Sequence, residues 1–360
     1  KNIMRVSILG NGLTSLALAQ MLANEGIRID IFSNKRIIKY KRIQTLGISK
    51  TNIDFFNQNV LNIKKLLWNI NKIEIFTENL HDEKVIDFED HDKNLFSIVR
   101  NSDLYKTLND NLKRNKLVKF KEKVNSFNLI KEDYKLIFNC DYDHPITKNF
   151  FYKKLDKDYN SLAYVTTFKH KKLSNNHSAS QIFTKQGPLA FLPISSSETS
   201  VVYSVKGKKN INLGELIKKY NKKYKILSIN NFFCFELKSS NLRSYYYQNV
   251  IAFGDMLHRL HPLAGQGFNM TIRDIKEIYK LINFKKEHGL DLDVSIAKDF
   301  ERNTKNKNFL FSNGIDLIYE FFNFESKFKN DKLSKSIQFL GKNKTMNKFL
   351  KSFADKGLSI

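Results

Sequence analysis

Asp255 follows the apolar run 250-VIAF-253 and Gly254, the place where a strand of an open α/β sheet delivers its carboxyl end to a ligand. A carboxylate there can accept hydrogen bonds from sugar-alcohol hydroxyls. It opens the string 254-GDMLHRLHPLAGQGFN-269, in which Pro262, Gly265 and Gly267 mark backbone that turns sharply or comes close to a ligand. The string runs into a helix, whose N-terminal N–H groups and positive dipole end favour negative charge. Near the other end of the chain, 10-GNGLTS-15 offers Gly10 for a tight turn and Gly12 for backbone approach to a pyrophosphate, with Ser15 where a third glycine would stand. Each motif by itself is also compatible with ordinary strand-loop-helix punctuation. His258 and His261 are spaced HxxH but lack the flanking ligands of a zinc site, and the sequence contains no P-loop, Ser-His-Asp set or cluster of metal ligands.

The elements needed to position these residues can be read from periodicity. Arg5 to Leu9 is a short strand, a helix follows through Leu16, Ala19, Leu22 and Ala23, and Ile27 to Phe32 is a second strand, which together open a βαβ dinucleotide unit. At the end of the second strand Ser33 occupies the position of the usual ribose-binding acid. Asp30 is no substitute, because its odd offset points it to the opposite face. After the GDMLH string, Phe268, Ile272, Ile275, Ile278, Tyr279 and Ile282 recur at helical spacing. A helix begins near Asn101, with Leu104 and Leu108 on one face, and Tyr134 to Asn139 is a strand that runs into 139-NCDYDHPITK-148, which contains Asp141. Lys72 to Phe76 and Lys84 to Phe88 alternate like paired strands. From Leu162 to Leu237 the spacing is that of an antiparallel sheet, interrupted by one helix over Leu213 to Tyr224. Residues 298–322 form a long helix. The tail then places Met346, Phe349, Leu350 and Phe353 on one helical face with lysines elsewhere, which suits an anionic membrane surface or a docking face on the protein itself.

At 360 residues, 41% hydrophobic and 13% aromatic, the chain is long enough for two domains with sizeable cores. Its net charge of +25 comes from scattered lysines with no nucleic-acid-binding motif beside them, and the heavy use of Lys, Asn, Ile, Phe and Tyr matches what an AT-rich genome produces. Nucleic acid is therefore not an expected partner, whereas attraction to anionic lipid is. No apolar run reaches the roughly 18 residues that span a bilayer, and the N-terminal apolar stretch is too short and Gly-broken for a signal peptide, so a cytoplasmic location is expected. Cys140 and Cys234 indicate no disulfide framework.

The GD-x2-H-x2-HPLAGQG-x-N string resembles the third flavin motif of the para-hydroxybenzoate-hydroxylase type (class A) of FAD-dependent monooxygenase, and within that group is most similar to the hydroxylases of ubiquinone biosynthesis. The resemblance extends from Arg5 to about Lys351 and takes in 186-QGPLAFLPI-194, which is similar to the family's GPLALLP strand. It implies an α/β fold with a Rossmann-like FAD-binding domain in three segments (1–70, 92–150 and 245–285), an antiparallel substrate sheet (71–91 and 151–244) and a C-terminal helical arm (286–360). It also implies FAD contacts from Gly10, Gly12, Ser15, Ser33, Arg42, Asn101, Asp141, Gly254, Asp255, Pro262, Gly265, Gly267, Phe268 and Asn269, with Asp255 on the ribityl chain. His261, Pro262, Gly265 and Gln266 would face the isoalloxazine where the chemistry occurs, and Phe183, Pro188, Leu189 and Phe191 would line the substrate cavity. Plain core packing is the alternative for the phenylalanines.

Three departures stand out: Ser33 replaces an acid, Tyr142 stands where backbone should pass close to the cofactor, and Met256 and Leu257 replace two small residues. The implied reaction is reduction of FAD by NAD(P)H, addition of oxygen to give a flavin C4a-hydroperoxide, and hydroxylation of a prenylated aromatic substrate, a ubiquinone precursor. Other ubiquinone-biosynthesis proteins and the inner-membrane surface are the implied partners. The uneven departures leave open an accessory lipid-binding or scaffold protein with weak or no FAD, and the fold leaves open a flavin-dependent prenyl reductase or halogenase.

Overall fold

The computed structural model describes residues 5–33, 44–80, 83–89, 94–124, 134–207, 211–260 and 266–325, together with 335, 338 and 352. Two large sheets and a small one account for its strands. The first is built from β1 (Arg5–Leu9), β2 (Arg28–Ser33), β8 (Val118–Glu122), β9 (Leu136–Asn139), β16 (Tyr246–Tyr247) and β17 (Val250–Ala252), in the order β16-β17-β9-β1-β2-β8. All its pairs are parallel except the short β16–β17 edge. Strands buried on both faces of such a sheet read as continuous apolar runs, as in Val6, Ile8 and Leu9 or Ile137 and Phe138. Helices α1 (Leu13–Asn24), α3 (Asn101–Arg114) and α6 (Gln266–Glu287) pack with this sheet in one core, joined by α2 (Lys50–Asn59). A short helix not evident in the sequence, α4 (Pro145–Phe150), is capped by His144, whose Nδ1 accepts from the Ile146 N–H.

The strands of the second sheet are β5 (Lys72–Thr77), β6 (Lys84–Glu89), β10 (Lys154–His170), β11 (Ser178–Thr184), β12 (Gly187–Pro193), β13 (Glu198–Lys206), β14 (Ile226–Ile229), β15 (Phe233–Leu242) and β18 (His258–Arg259). They run in the order β18-β15-β10-β13-β12-β11-β5-β6, with β14 beside β10. The expected antiparallel sheet needs one correction: β5 and β11 pair in parallel, where the first of the separate stretches in which the chain enters this sheet meets the second. Helix α5 spans Leu213–Tyr220, shorter than the expected 213–224, since Tyr224 turns in to pack against Phe168 and His170. A third sheet comprises β3 (Thr45–Ser49), β4 (Trp68–Ile70) and β7 (Phe96–Arg100), in the order β3-β7-β4. It packs into the core of the first sheet through Ile48 and Val99 and is bonded to the second through Thr45 to Ser200 (2.9 Å) and Arg100 to Glu198 (2.6 Å).

Helix α7 (Ser295–Glu325) is the long C-terminal helix, and it ties down both halves. Glu301 accepts from the Tyr245 N–H at 2.7 Å, Asn241 donates to Ser312 at 3.0 Å, and Tyr159 is hydrogen-bonded to Asp316. The tail positions Met346, Phe349, Leu350 and Phe353 lie outside the described residues.

Candidate cofactor site

The carboxyl ends of β17, β9, β1 and β2 lie side by side, so the loops that follow them share one edge of the sheet. Backbone bonds lock that edge: Phe253 N–H to Asn139 O (2.9 Å), Cys140 N–H to Leu9 O (2.9 Å) and Gly10 N–H to Phe32 O (2.7 Å). Gly10 has a φ of +101°, and a Cβ there would lie 3.4 Å from the Asp141 backbone nitrogen. The β1–α1 and β9–α4 turns are therefore in direct contact. Gly12 is the N-cap of α1 and has no side chain to occupy the N–H groups of the first turn, and no acid stands in that turn. Ser15 is fully buried, so the small residue at the third position sits in the helix-sheet packing.

Gly254 adopts a φ of +71°, and a Cβ there would come within 2.6 Å of Thr14 Cγ2. This contact presses the 3₁₀ turn Gly254–Met256 against the start of α1, and no motif marks Thr14 for that role in the sequence. Asp255, next in line, is exposed and has no hydrogen-bond partner among the described residues. It lies near enough to Cys140 that its charge, with that of Asp141, adds to the desolvation that pushes the thiol up to about 12. At neutral pH Cys140 is thus a protonated thiol and no nucleophile. Met256 and Leu257 point inward, fully in the core, with Met256 Sδ 3.8 Å from Thr147 Oγ1.

Asp30 behaves as its register requires. Its carboxylate is buried, accepting from Arg5 Nη2 (2.6 Å) and Tyr134 Oη (2.5 Å) and pairing with Lys121 (2.8 Å). Burial works to raise this carboxyl, but the bonds from Lys121, Tyr134 and Arg5 outweigh it and hold it below the usual value. Ser33 ends β2, half-buried, with no partner competing for its hydroxyl among the described residues. Asn101 is the first residue of α3 and is not its cap, since Arg100 holds that position and no side-chain cap bond forms. The Asn101 side chain is buried, while its N–H is bonded to Gln44 O at 2.9 Å.

Two expected cofactor positions look different in three dimensions. Asn269 spends its amide on the protein: Oδ1 accepts from the Ser49 N–H and from Asn52 Nδ2 at 2.9 Å each, and Nδ2 donates to Gly47 O at 2.9 Å. Its side chain is a buried staple between α6 and the β3–α2 corner, so it is not available to a ligand. Phe268 packs on Phe56 with ring centroids 6.5 Å apart. Gly267, by contrast, leaves open space over the first turn of α6, where an added Cβ would meet nothing within 4 Å.

Asp141 has its carboxylate engaged by Lys123 at 2.7 Å and by the Asp143 N–H at 3.0 Å. Tyr142 does not fill the turn: it is 48% exposed and leans outward on the Lys154 ammonium, 5.1 Å from the ring centre. The turn itself is braced by Thr147, which accepts from Asn139 Nδ2 and donates to Asp141 O, both at 2.8 Å. None of these partners forms a recognisable spacing in the sequence. Arg42, His261, Pro262 and Gly265 lie outside the described residues, and Gln266 is described only as the first residue of α6. His258 is fully buried and bonded to Asp274 at 2.5 Å, with Asn308 donating to the same carboxylate at 3.0 Å, so it anchors the chain just before residue 261 rather than ligating anything.

The four residues expected to line a substrate cavity divide by strand parity. Phe183 and Pro188 are cross-strand partners on one face, where Phe183 packs with Met270, Phe311 and Ile315 of α6 and α7. Leu189 and Phe191 are on the other face, buried under α5 with Phe168, Val201 and Tyr203. They belong to the core, and the half-buried residues on the face of Phe183 are Gln181, Ala190, Leu192 and Val202.

Comparison with known proteins yields relatives and a fold. No family model matches the chain. It is 27% identical over 149 residues to the 3-demethoxyubiquinol 3-hydroxylase of Escherichia coli, covering 39% of this chain and 38% of that protein. It is 32% identical over 95 residues to the mitochondrial ubiquinone biosynthesis monooxygenase COQ6 of Dictyostelium discoideum, covering 26% of this chain and 19% of that one. The matched segments thus span well under half of either relative. Among solved structures, p-nitrophenol 4-monooxygenase PnpA of Pseudomonas putida superposes with a TM-score of 0.80 at 12% identity, covering 99% of this chain and 98% of that one. HpxO of Klebsiella pneumoniae, solved with FAD and uric acid, gives 0.75 at 11% identity, covering 98% and 97%. The chain therefore has the fold of the FAD-dependent monooxygenases, and its sequence is similar to the hydroxylases of ubiquinone biosynthesis.

Proposed function

We propose that the protein is an FAD-dependent hydroxylase acting on the aromatic ring of a prenylated ubiquinone precursor, with NAD(P)H as reductant. The observation that carries this reading is the Asp255 carboxylate at the end of β17, unpartnered among the described residues, set beside the positive-φ glycines Gly10 and Gly254. A carboxylate with no partner among the described residues, beside two turns that close on glycines, fits a ligand that presents hydroxyls and a diphosphate, and the residues present fit FAD. Gly10, Gly12 and the first turn of α1 would take the diphosphate, Ser33 the adenosine ribose, and Asp255 the ribityl hydroxyls. Asn101 and the start of α6 at Gly267 would lie along the flavin, with the α6 dipole favouring its reduced, anionic form. When bound, FAD would supply the reductive activation of oxygen and the transfer of one oxygen atom to the ring.

The chain's own contribution is placement. His258, pinned between Asp274 and β15, fixes the chain before residue 261, while Asn269 fixes it after residue 265 through Ser49, Asn52 and Gly47. The face of the second sheet that carries Phe183, Pro188, Ala190 and Leu192 would form the apolar wall against which the ring is oriented. Similarity to the ubiquinone-biosynthesis relatives supports the substrate class. The test is to incubate the FAD-loaded, reduced protein with prenylated phenols under isotopically heavy oxygen. A hydroxylase must leave one labelled oxygen atom in the product, and label confined to hydrogen peroxide and water would contradict it.

A specific observation supports a second reading, an accessory lipid-binding protein of the same biosynthetic assembly with weak or no FAD. Asp141 is occupied by Lys123, and Ser33 offers a neutral hydroxyl where a carboxylate binds ribose more strongly. That reading requires that added FAD stay unbound.

A further inference from the structure

An edge of the second sheet has the make-up of a membrane-docking surface. Strand β14 lies beside the end of β10, with Lys169 opposite Ser228, and β15 continues along the same side, with Val165 opposite Phe233. The link between them is firmly built. Asn230 receives Thr166 Oγ1 on its carbonyl at 2.8 Å, donates from Nδ2 to Thr167 Oγ1 at 2.7 Å, and donates from its N–H to Thr167 O at 2.9 Å. This well-anchored link nevertheless holds apolar side chains out in water: Leu227 is 63% exposed, Phe232 51% and Phe233 36%. Exposed large apolar groups gathered on one rigid edge mark a contact surface more often than chance.

Among the described residues, the charge around them that is not already paired is positive. Lys169, Lys171, Lys172 and Lys225 are exposed, the Lys171 N–H is bonded to Lys225 O at 3.0 Å, and none of the four has an ion pair among the described residues. From Leu216 to Phe235 there are five lysines and no acid. The carboxylates that flank the edge are already committed, Glu198 to Arg100 at 2.6 Å and Glu236 to Lys238 at 2.9 Å. Aromatic and aliphatic side chains at the centre of such lysines match the layering of an anionic bilayer, apolar below and negative at the headgroups.

We propose that the β10–β14–β15 edge, with Leu227, Phe232 and Phe233 as the inserted groups, docks on an anionic phospholipid bilayer. Phe233 shares its sheet face with Val165, Ala163 and Phe235, and this apolar strip ends at the cluster containing Phe183, Leu260 and Met270. Docking there gives a membrane-dissolved substrate an apolar route to the proposed reaction site. That last step rests on the hydroxylase reading, whereas the docking does not.

The full chain would be mixed with vesicles of phosphatidylcholine alone or with phosphatidylglycerol added, and sedimented. Binding is expected only to the anionic vesicles, weakening with salt. Neutralising Lys169, Lys171 and Lys172 to Ala should lower partitioning on the order of 100-fold, from about fivefold per lysine removed near such a surface, whereas Lys116→Ala with Lys119→Ala, on the first sheet, should lower it far less. Phe233→Trp should blue-shift its emission on the anionic vesicles, above the background of Trp68. Binding of the triple variant at wild-type strength overturns the proposal. So does bound protein whose new tryptophan stays in water, which would put the contact elsewhere, or failure of the wild type to bind either vesicle. The assay needs neither flavin nor turnover, so its failure and that of the hydroxylase reading are separately visible.

Discussion

Asp255 is surface-exposed and holds no protein partner among the described residues, so removing its carboxylate costs the fold little. Asp255→Ala is expected to abolish retention of FAD through gel filtration while leaving the circular dichroism and melting temperature unchanged; retained stoichiometric flavin would remove the residue from the site. Ser33→Glu supplies the charge that β2 lacks at its carboxyl end. It should tighten FAD binding about tenfold, the gain of a hydrogen bond to a charged acceptor, as read by fluorescence titration. Asp30 makes the opposite kind of contribution, to stability alone. Its carboxyl is depressed in the folded state, so its contribution is full at pH values above the ordinary carboxylate range and is lost as the pH falls through the lower, folded value. Asp30→Asn should cost about 2 kcal/mol at neutral pH and almost nothing in acid, measured by urea denaturation across that range.

At the level of elements, the contact between the Gly254 turn and helix α1 is the joint that brings Asp255 to the dinucleotide loop. Gly254→Ala places a Cβ 2.6 Å from Thr14 Cγ2 at a backbone angle that L-residues avoid, and about 2 kcal/mol of destabilisation is expected. Thr14→Ser removes that methyl group and should recover part of the loss in the double variant, a coupling visible in denaturant midpoints; additive effects would mean the two elements are not in contact. Such joints explain what the sequence can and cannot reveal. β1, α1 and β2 are legible because buried parallel strands and an apolar helix face leave strong periodic patterns. The β3-β7-β4 sheet is not, since its strands are short and their pairing is long-range. The Asn269 staple and the Lys123–Asp141 pair are hidden for the same reason, each depending on partners 18 to 222 residues away. Leu189 and Phe191 share a motif with Pro188, which suggests one common cavity with Phe183; alternation along the strand instead sends them to the opposite face, under α5.

For the molecule as a whole, the fold is that of the FAD-dependent monooxygenases, while Ser33 at the proposed adenosine end departs from the acid that the sequence resemblance implies. Whether this chain still holds FAD is decided most directly by the visible absorption spectrum of the purified protein after incubation with FAD and removal of the unbound fraction. The bands of an oxidised, protein-bound flavin at one per chain are expected, bleached anaerobically by NADH or NADPH. A chain that carries no flavin after exposure to saturating FAD would contradict the proposed function.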